Sequence, residues 1–518
     1  MHRLVIALTT LIVLAAGTYL GLYTFLLGGV ADRAAGLVPA DAIAYANVYL
    51  QPSTAQQMRL GALIGRLPGF EDSSTIDEKI DQIAQNLLSN AGVDYRADIR
   101  PWLGNQASIA ILPAADEDGQ PNTVAFLAVT EEAEAEAALT RATTDVGVRP
   151  ETLDHAGTEV TVAGDTAWAF VDDLLVISQT AVGIEASIDV RAGEPSLASS
   201  ATFRDTMADL PPDHLASIYV DLARATQLAG SSTELAGWSA AGAALLAEEG
   251  GLRLAGTAPF DAAASASASA AAAVSDEPST LVEWMPAETQ AEAVIFGARR
   301  LLEDAESAAA GSQEGQALTD ALTTARTVAA LALGLDLDAD ILPLFDRDIA
   351  IAVTELREGL PAGQLLLHPT DAQAATDVLD RLASSLEGLG ATVTTRPGGE
   401  RAQITTVEMP DIGSGAYTVH DGVVIVGLTA DDVEASIDAN ESGENLANTD
   451  AYSATFELAG ERGGSELYID IGAALETTQA AAQLPVDARD ILNQLGAFGF
   501  TAPSRDDRVD FRAVLTIE

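Results

Sequence analysis

The five residues Glu185-Ala186-Ser187-Ile188-Asp189 occur a second time, unchanged, as Glu434-Ala435-Ser436-Ile437-Asp438. The same offset of 249 positions, without a gap, aligns the apolar run 174–177 with 423–426 and the segment 218–222 with 467–471. A register kept from residue 168 to residue 222 is typical of an internal duplication. We therefore interpret the chain as two copies of one folding unit.

Other segments repeat at slightly different offsets, as insertions in loops require. Gly92-Val93-Asp94 aligns with Gly334-Leu335-Asp336, and Pro39-Ala40-Asp41 resembles Pro286-Ala287-Glu288. Between the copies lies an Ala/Ser tract without bulky side chains, which is typical of a linker. The predicted layout is a transmembrane signal anchor at 1–33, a first repeat at 37–259, a linker at 260–280 and a second repeat at 281–518.

Each copy is predicted to be α+β, with a mostly antiparallel sheet and helices on one face. Short apolar runs predict strands at 42–50, 108–112, 123–129, 159–163, 167–171, 174–178, 216–220 and 252–258. Helices are predicted on the apolar face at 76–88, from a Thr130 cap to about residue 144, around Ile184 and Ile188, and in the alanine-rich stretch before 252.

The first 30 residues predict a membrane segment. Leu4 to Val30 is an uncharged run of 27 residues, preceded by Arg3 and followed by Asp32-Arg33. A transmembrane helix needs about 20 residues, whereas a cleavable signal peptide has an apolar stretch of about 7–15. We expect a retained, single-pass signal anchor with a cytoplasmic N-terminus and an extracytoplasmic bulk, the alternative being a cleaved signal peptide.

Composition excludes several classes of function. The chain of 518 residues carries 26 Lys+Arg against 77 Asp+Glu, a net charge of −51, and it has no cysteine. Such an acidic protein repels nucleic acids and anionic surfaces, and without thiols it has no disulfides or thiolate–metal sites. Lys79 is the sole lysine, so the cations are arginines. We take the charge to reflect a halophilic or high-GC source.

Motifs for known chemistry are missing from the sequence. There is no Gly-x-Ser-x-Gly, His-Glu-x-x-His, P-loop or Gly-x-Gly-x-x-Gly. His155, His214, His368 and His420 each align with another residue type in the opposite copy, so no histidine site is shared. We assign no catalytic, cofactor-binding or metal-binding residue.

Some acidic residues call for a choice between a ligand site and a structural role. Asp336-Leu337-Asp338-Ala339-Asp340 lacks the Gly and Glu of an EF-hand, and Asp116-Glu117-Asp118-Gly119 is a hairpin turn that offers a weaker calcium alternative. The equivalent run of the first copy, residues 94–98, keeps only two of these three aspartates, Asp94 and Asp98. Carboxylates shared in this way favour turn and cap roles.

The duplicated pairs Asp172/Asp421 and Asp221/Asp470 invite interpretation as twin carboxylate sites. The structural interpretation makes Asp221 and Asp470 helix N-caps and Tyr219 and Tyr468 half-buried sheet residues. Trp168 and Tyr417 are likewise predicted to be core or sheet-face aromatics.

The chain resembles a family of uncharacterised bacterial proteins grouped only as a domain of unknown function. The resemblance rests on Pro39-Ala40-Asp41, the run 98–104, the segment 168–176, Ser196-Leu197-Ala198 and Tyr219-Val220-Asp221. It covers nearly the whole exported part and implies one N-terminal membrane anchor with a large exported region. It implies no catalytic residues.

These observations favour a non-catalytic, membrane-anchored binding or scaffolding protein of the cell envelope, with no cofactor and with an envelope protein or a small apolar ligand as its partner. The alternatives are an envelope hydrolase that uses carboxylates, and a lipid or peptide carrier with a groove between the repeats.

Overall fold

A computed structural model describes residues 32–68, 85, 94–114, 120–145, 148–229, 237–264, 277–309, 313–357, 360–399, 402–410, 413–477, 486–505 and 507–518. The chain divides into two compact units. The first comprises the described residues of 1–232 and 238–259, and the second those of 233–237 and 260–518. The fold is α+β, as predicted.

The first unit contains a ten-stranded antiparallel sheet. Its strands are β1 (Ala44–Tyr49), β2 (Leu103–Leu112), β3 (Asn122–Val129), β4 (Glu151–His155), β5 (Thr158–Val162), β6 (Ala167–Val171), β7 (Leu174–Ser178), β8 (Ala216–Asp221), β9 (Ala240–Glu248) and β10 (Gly251–Pro259). Their spatial order is β4-β5-β6-β7-β3-β2-β1-β8-β9-β10. The predicted antiparallel sheet is therefore confirmed for this unit.

The second unit repeats this strand order. Its strands are β11 (Ala291–Phe296), β12 (Asp348–Arg357), β13 (Leu360–Leu367), β14 (Thr392–Gly398), β15 (Ala402–Met409), β16 (Gly413–His420), β17 (Val423–Gly427), β18 (Ser465–Asp470), β19 (Leu495–Ala502), β20 (Ser504–Arg505) and β21 (Arg508–Ile517). They run β14-β15-β16-β17-β13-β12-β11-β18-β19-β21, and β20 pairs with β21.

The helices follow the same strands in both units. The first unit has α1 (Thr54–Ile64), α2 (Glu132–Asp145), α3 (Ala181–Ala192), α4 (Ala201–Ala208) and α5 (Leu222–Ala229). The second has α6 (Ala298–Ala309), α7 (Gln313–Val328), α8 (Ala372–Gly388), α9 (Ala430–Ser442), α10 (Asp450–Ala459), α11 (Ile471–Thr477) and α12 (Val486–Leu492). Short 3-10 turns at Ala34–Gly36 and Thr280–Trp284 precede the first strand of each unit.

Both faces of each sheet are covered, so the prediction of helices on one face is wrong. On β3, Leu127 faces a cluster with Leu139 of α2, whereas its neighbour Phe126 faces a cluster with Ile188 of α3. On β13, Leu366 packs with residues of α9 and Leu367 with residues of α8. Successive side chains of a strand point to opposite faces, and the neighbouring residues of β3 and β13 named here are therefore apolar on both faces.

The alanine-rich stretch before residue 252 is not one long helix. It begins as α5, but residues Ala240–Glu248 form the strand β9 between β8 and β10. Alternate residues Ala240 and Ala244 are fully buried. Alanine favours helices by only fractions of a kcal/mol per residue, and strand pairing with burial of alternate side chains outweighs that preference.

Three predictions lie outside the described residues: the membrane segment Leu4–Val30, the helical face at 76–88 apart from residue 85, and the turn at 116–119. Among the residues the structure does describe, no helix has the length and apolar character needed to span a bilayer.

Candidate functional site

The duplicated aspartates Asp172 and Asp421 occupy the tight turns β6–β7 and β16–β17. Their φ angles are 54° and 44°, in the left-handed region that non-glycine residues seldom adopt. Asp and Asn tolerate this conformation better than other side chains because their short polar groups bond locally. The two Asp residues are thus explained by the backbone of the turn in which each lies.

Asp221 and Asp470 cap the helices that follow β8 and β18, as predicted. The backbone N–H of Arg224 donates to Asp221 Oδ1 at 2.9 Å, and the N–H of Ala473 donates to Asp470 Oδ1 at 2.8 Å. The guanidinium of Arg224 also pairs with the second oxygen of Asp221. Both carboxylates therefore satisfy helix N-terminal donors.

Tyr219 and Tyr468 are buried rather than half-buried, each with 1% exposure. Their rings pack edge-on against Phe203 and Tyr452, with centroids 5.0 and 5.1 Å apart. Burial raises the pKa of Tyr219 to about 12. These tyrosines belong to the core, as does Trp168, which is confirmed as a core aromatic.

The acidic runs at 94–98 and 336–340 hold caps and ion pairs. Asp94 Oδ1 accepts from the N–H of Ala97 at 3.1 Å, and Asp336 Oδ1 accepts from Ala339 at 3.0 Å. Asp98 pairs with Arg141 at 3.1 Å, and Asp340 pairs with Arg381 at 2.7 Å.

Arginine side chains bind the carboxylates of the 336–340 run that the calcium alternative would use as ligands. The hydrogen bond from Arg381 lowers the pKa of Asp340, and that from Arg326 lowers the pKa of Asp338. Within the described part of the chain no three His, Asp or Glu side chains are grouped to hold a metal. The turn at 116–119 lies outside that part.

The four histidines that the structure describes sit in separate environments. His155 Nε2 lies 2.7 Å from Asp189, and this hydrogen bond raises the pKa of His155. His214 Nδ1 contacts the Pro211 carbonyl at 2.8 Å. His420 lies 3.6 Å from Glu441 and packs edge-on against Trp284.

His368 belongs to a buried Ser–Asp–His chain that resembles a catalytic triad only in composition. His368 Nδ1 lies 2.9 Å from Asp348, and the hydroxyl of Ser279 donates to Asp348 Oδ2. Burial opposes ionisation, but the bonds from His368 and Ser279 outweigh it and lower the pKa of Asp348. In a catalytic triad the serine hydroxyl is hydrogen-bonded to the histidine, whereas here the serine and the histidine are both hydrogen-bonded to the aspartate.

The first unit contains the equivalent contact with different residues. Asp32 and Gln106 occupy the positions of Ser279 and Asp348, and Asp32 Oδ1 accepts from Gln106 Nε2 at 2.7 Å. A polar link between the entering chain and the second strand is thus a structural element of both units.

Sequence reasoning missed a buried charge cluster in the second unit. Glu292 on β11 is 1% exposed, and neither of its carboxyl oxygens has a hydrogen-bond partner among the described residues. Burial, with a smaller contribution from the charge of Glu466, raises the pKa of Glu292 to about 8. Its only sequence signal is an acid within the apolar strand Ala291–Phe296.

Arg462 provides the countercharge of this cluster. It donates to Glu466 at 3.1 and 2.7 Å and to the hydroxyl of Tyr452 at 2.7 Å, and it stacks over Phe456 at 4.4 Å. Glu466 is fully buried, whereas the Arg462 side chain is 24% exposed, so the ion pair lies at the edge of the core. The cluster can hold a proton on Glu292 at neutral pH, but it forms no open reaction site.

Comparisons with known proteins identify the family. A family model described as "Protein of unknown function (DUF3352)" matches residues 4–515, and no curated protein sequence matches the chain. The solved crystal forms III and IV of TP0453 are 10% and 12% identical, cover 45% and 43% of this chain and 80% and 79% of that chain, and have TM-scores of 0.25. Such TM-scores support no inference about fold or function. The family match confirms the predicted resemblance: the chain belongs to the family of proteins of unknown function DUF3352.

Proposed function

We propose that this protein is a non-catalytic binding or scaffolding protein, anchored in a membrane by residues 4–30 with its bulk outside the cytoplasm. One observation carries the proposal. The carboxylates that the two copies share have structural partners: Asp172 and Asp421 form turns, and Asp221 and Asp470 cap helices. What the duplication preserves is therefore a scaffold.

The proposal includes an origin of both units from one ancestral unit. Strand register supports it, because Ala44 pairs with Ile111 and Val220, and Ala291, its equivalent, pairs with Val353 and Ile469. Isolated bridges join Pro39 to Ser196 and Pro286 to Asn445 at equivalent places.

The duplicated aspartates motivated the alternative of an envelope hydrolase with catalytic carboxylates, but their positions do not support it. In hydrolases that use two catalytic carboxylates, both groups lie on either side of the same scissile bond, a few ångströms apart. Asp172 lies in the turn at one end of β7, whereas Asp221 follows β8 at the opposite end of the sheet, where its neighbour Val220 pairs with Ala44. Their separate backbone roles leave the hydrolase without support from the site.

Site-specific photocrosslinking in native membranes tests the binding function. Met58 and Leu331 are large apolar side chains that are 70% and 84% exposed, so a photoreactive residue at either position is accessible to a partner. A photoreactive residue at each position should capture one reproducible envelope protein or small apolar ligand. The same residue at exposed, polar Gln179 is the matched control. Identical products at all three positions, or none, would contradict the proposal.

Membrane anchoring has its own test. The full chain should resist extraction from membranes by alkaline carbonate, and protease added from outside should degrade the bulk of the chain in spheroplasts. Release by carbonate, or complete protection from the protease, would contradict the anchor or its orientation.

A further inference from the structure

The first residues after the apolar run are already part of the core of the first unit. Ala34, Ala35 and Val38 are 0%, 2% and 0% exposed. Asp32 accepts hydrogen bonds from the hydroxyl of Tyr45 at 2.7 Å and from Gln106 at 2.7 Å. The chain is therefore tied into the folded unit from Asp32 onward, two positions after Val30.

Arg33 fixes the chain at one end of the sheet. Its guanidinium donates to Asn105 Oδ1 at 2.7 Å and pairs with Asp173, and its N–H donates to Gln106 at 3.2 Å. Asn105 is near the start of β2, and the carbonyl of Asp173 accepts from Val129 at the end of β3. We call this sheet end, with the turn 172–173, the proximal end.

Paired charges distinguish the proximal end from its counterpart. Asp173 is paired with Arg33, and Asp172 with Arg191 at 2.9 Å, so the acidic turn is neutralised. In the second unit, Thr280 and Asn440 occupy the positions of the two arginines, and Asp421 has a 74% exposed side chain. Asp421 lies 3.9 Å from the ring of His420 and has no arginine partner among the described residues, so the two arginine pairs are a feature of the first unit.

We propose that the proximal end lies against the surface of the bilayer that holds residues 4–30. The inference rests on the proposed membrane anchor and adds which surface of the protein meets the lipid. Two peptide steps of about 3.8 Å separate Val30 from Asp32, so the proximal end is held within about 8 Å of the last apolar residue. Even if seven extended residues of the run were spare, this distance grows only to about 30 Å.

Neutralisation of the turn lets the acidic protein approach the headgroups. Unpaired carboxylates would be repelled by anionic lipid over a Debye length of about 10 Å at 0.1 M salt. The pairs Arg33–Asp173 and Arg191–Asp172 reduce that repulsion at the turn, where the chain forces the closest approach.

Depth-dependent fluorescence quenching tests the inference in the full chain, which has no native cysteine. Single cysteines at Glu131 and Gln179, both exposed, place a bimane label beside the proximal end or at the opposite end of β7. These ends are about 20 Å apart along the strand. In phosphatidylcholine vesicles with headgroup spin-labelled lipid, we expect quenching at least threefold stronger at position 131 than at position 179.

A spacer variant is the matched control for geometry. Twenty Gly/Ser residues inserted between Ala31 and Asp32 span about 25 Å and should lower quenching at position 131 to the level at 179. For charge, Arg191→Gln should halve the quenching at position 131 in vesicles containing one third phosphatidylglycerol. Arg204→Gln, with the same charge change at another exposed arginine, should leave it unchanged.

The outcomes separate this inference from the membrane anchor. A chain that carbonate extracts overturns both. A chain that stays in the membrane, but shows equal quenching at positions 131 and 179, overturns the inference about the proximal end and leaves the anchor standing.

Discussion

Replacement of the buried acid Glu292 by glutamine should remove a pH dependence of stability from the second unit. The side chain lies on β11 opposite Tyr468, with Ala352 of β12 on its other side. The titratable groups around it are Glu466 and Tyr468 on β18, Tyr452 on α10, and Arg462 in the loop before β18. Glu292→Gln keeps the shape of the side chain and abolishes its ionisation.

The magnitude follows from the pKa of Glu292, which burial raises from 4.5 to about 8. Between these pH values the folded chain keeps the proton and the unfolded chain releases it. The free energy of unfolding therefore falls as pH rises, by about 1.4 kcal/mol per pH unit. The whole stabilisation is present below pH 4.5, and about 5 kcal/mol is lost by pH 8.

The assay is urea unfolding of the full chain at pH 5, 7 and 9, followed by hydrogen–deuterium exchange of peptides from β11 and β18. This readout reports the second unit separately, since a chain of two units need not unfold in one step. Relative to the wild type, Glu292→Gln should be more stable at pH 9 than at pH 5, by about 4 kcal/mol.

Glu408→Gln is the matched control, because Glu408 is an exposed strand residue of the same unit. It should leave the pH profile unchanged. A profile of Glu292→Gln that runs parallel to the wild type from pH 5 to pH 9 would refute the reasoning.

Substitutions at three further positions test the structural roles by thermal or urea unfolding. Arg462→Met leaves Glu466 buried without its partner and should cost about 3–5 kcal/mol, and a loss below 1 kcal/mol would contradict a buried ion pair. Asp421→Gly should be neutral or nearly so, whereas Asp421→Val should cost about 1–2 kcal/mol because of the left-handed turn; equal effects would contradict that role. Asp470→Ala should cost about 1 kcal/mol and Asp470→Ser should restore most of it, whereas no loss in the alanine variant would argue against the cap. Molar salt should raise the melting temperature of the full chain, because it screens the repulsion that a net charge of −51 creates. A melting temperature that does not change with salt would contradict this explanation.

Local sequence patterns predicted much of the scaffold. The strands at 167–171 and 174–178 agree with β6 and β7, because a two-residue connection between apolar runs permits only a tight hairpin. The N-caps Asp221 and Asp470 were predictable because capping needs only a short polar side chain at the strand–helix junction. Such features depend on neighbours in the chain.

The pairing of distant strands was not predicted, because it depends on residues that are far apart in the chain. The alanines of β9 were predicted to be helical, and only their pairing with β8 and β10 makes them a strand. The coverage of both sheet faces was likewise missed, since an apolar run alone does not say which helix covers which side.

The sequence by itself determined the repeated segments, the strand–helix alternation and the family, because these reside in the order of the residues. Only the tertiary structure decided the partners of the charged side chains. Arg462 forms an ion pair with Glu466, and Arg33 forms one with Asp173. Glu292 is buried without a hydrogen bond to any described residue. Arg33 and Asp173 are 140 positions apart, and their contact depends on how the sheet brings distant segments together. Electrostatic energies depend on distance and burial, which no local pattern encodes.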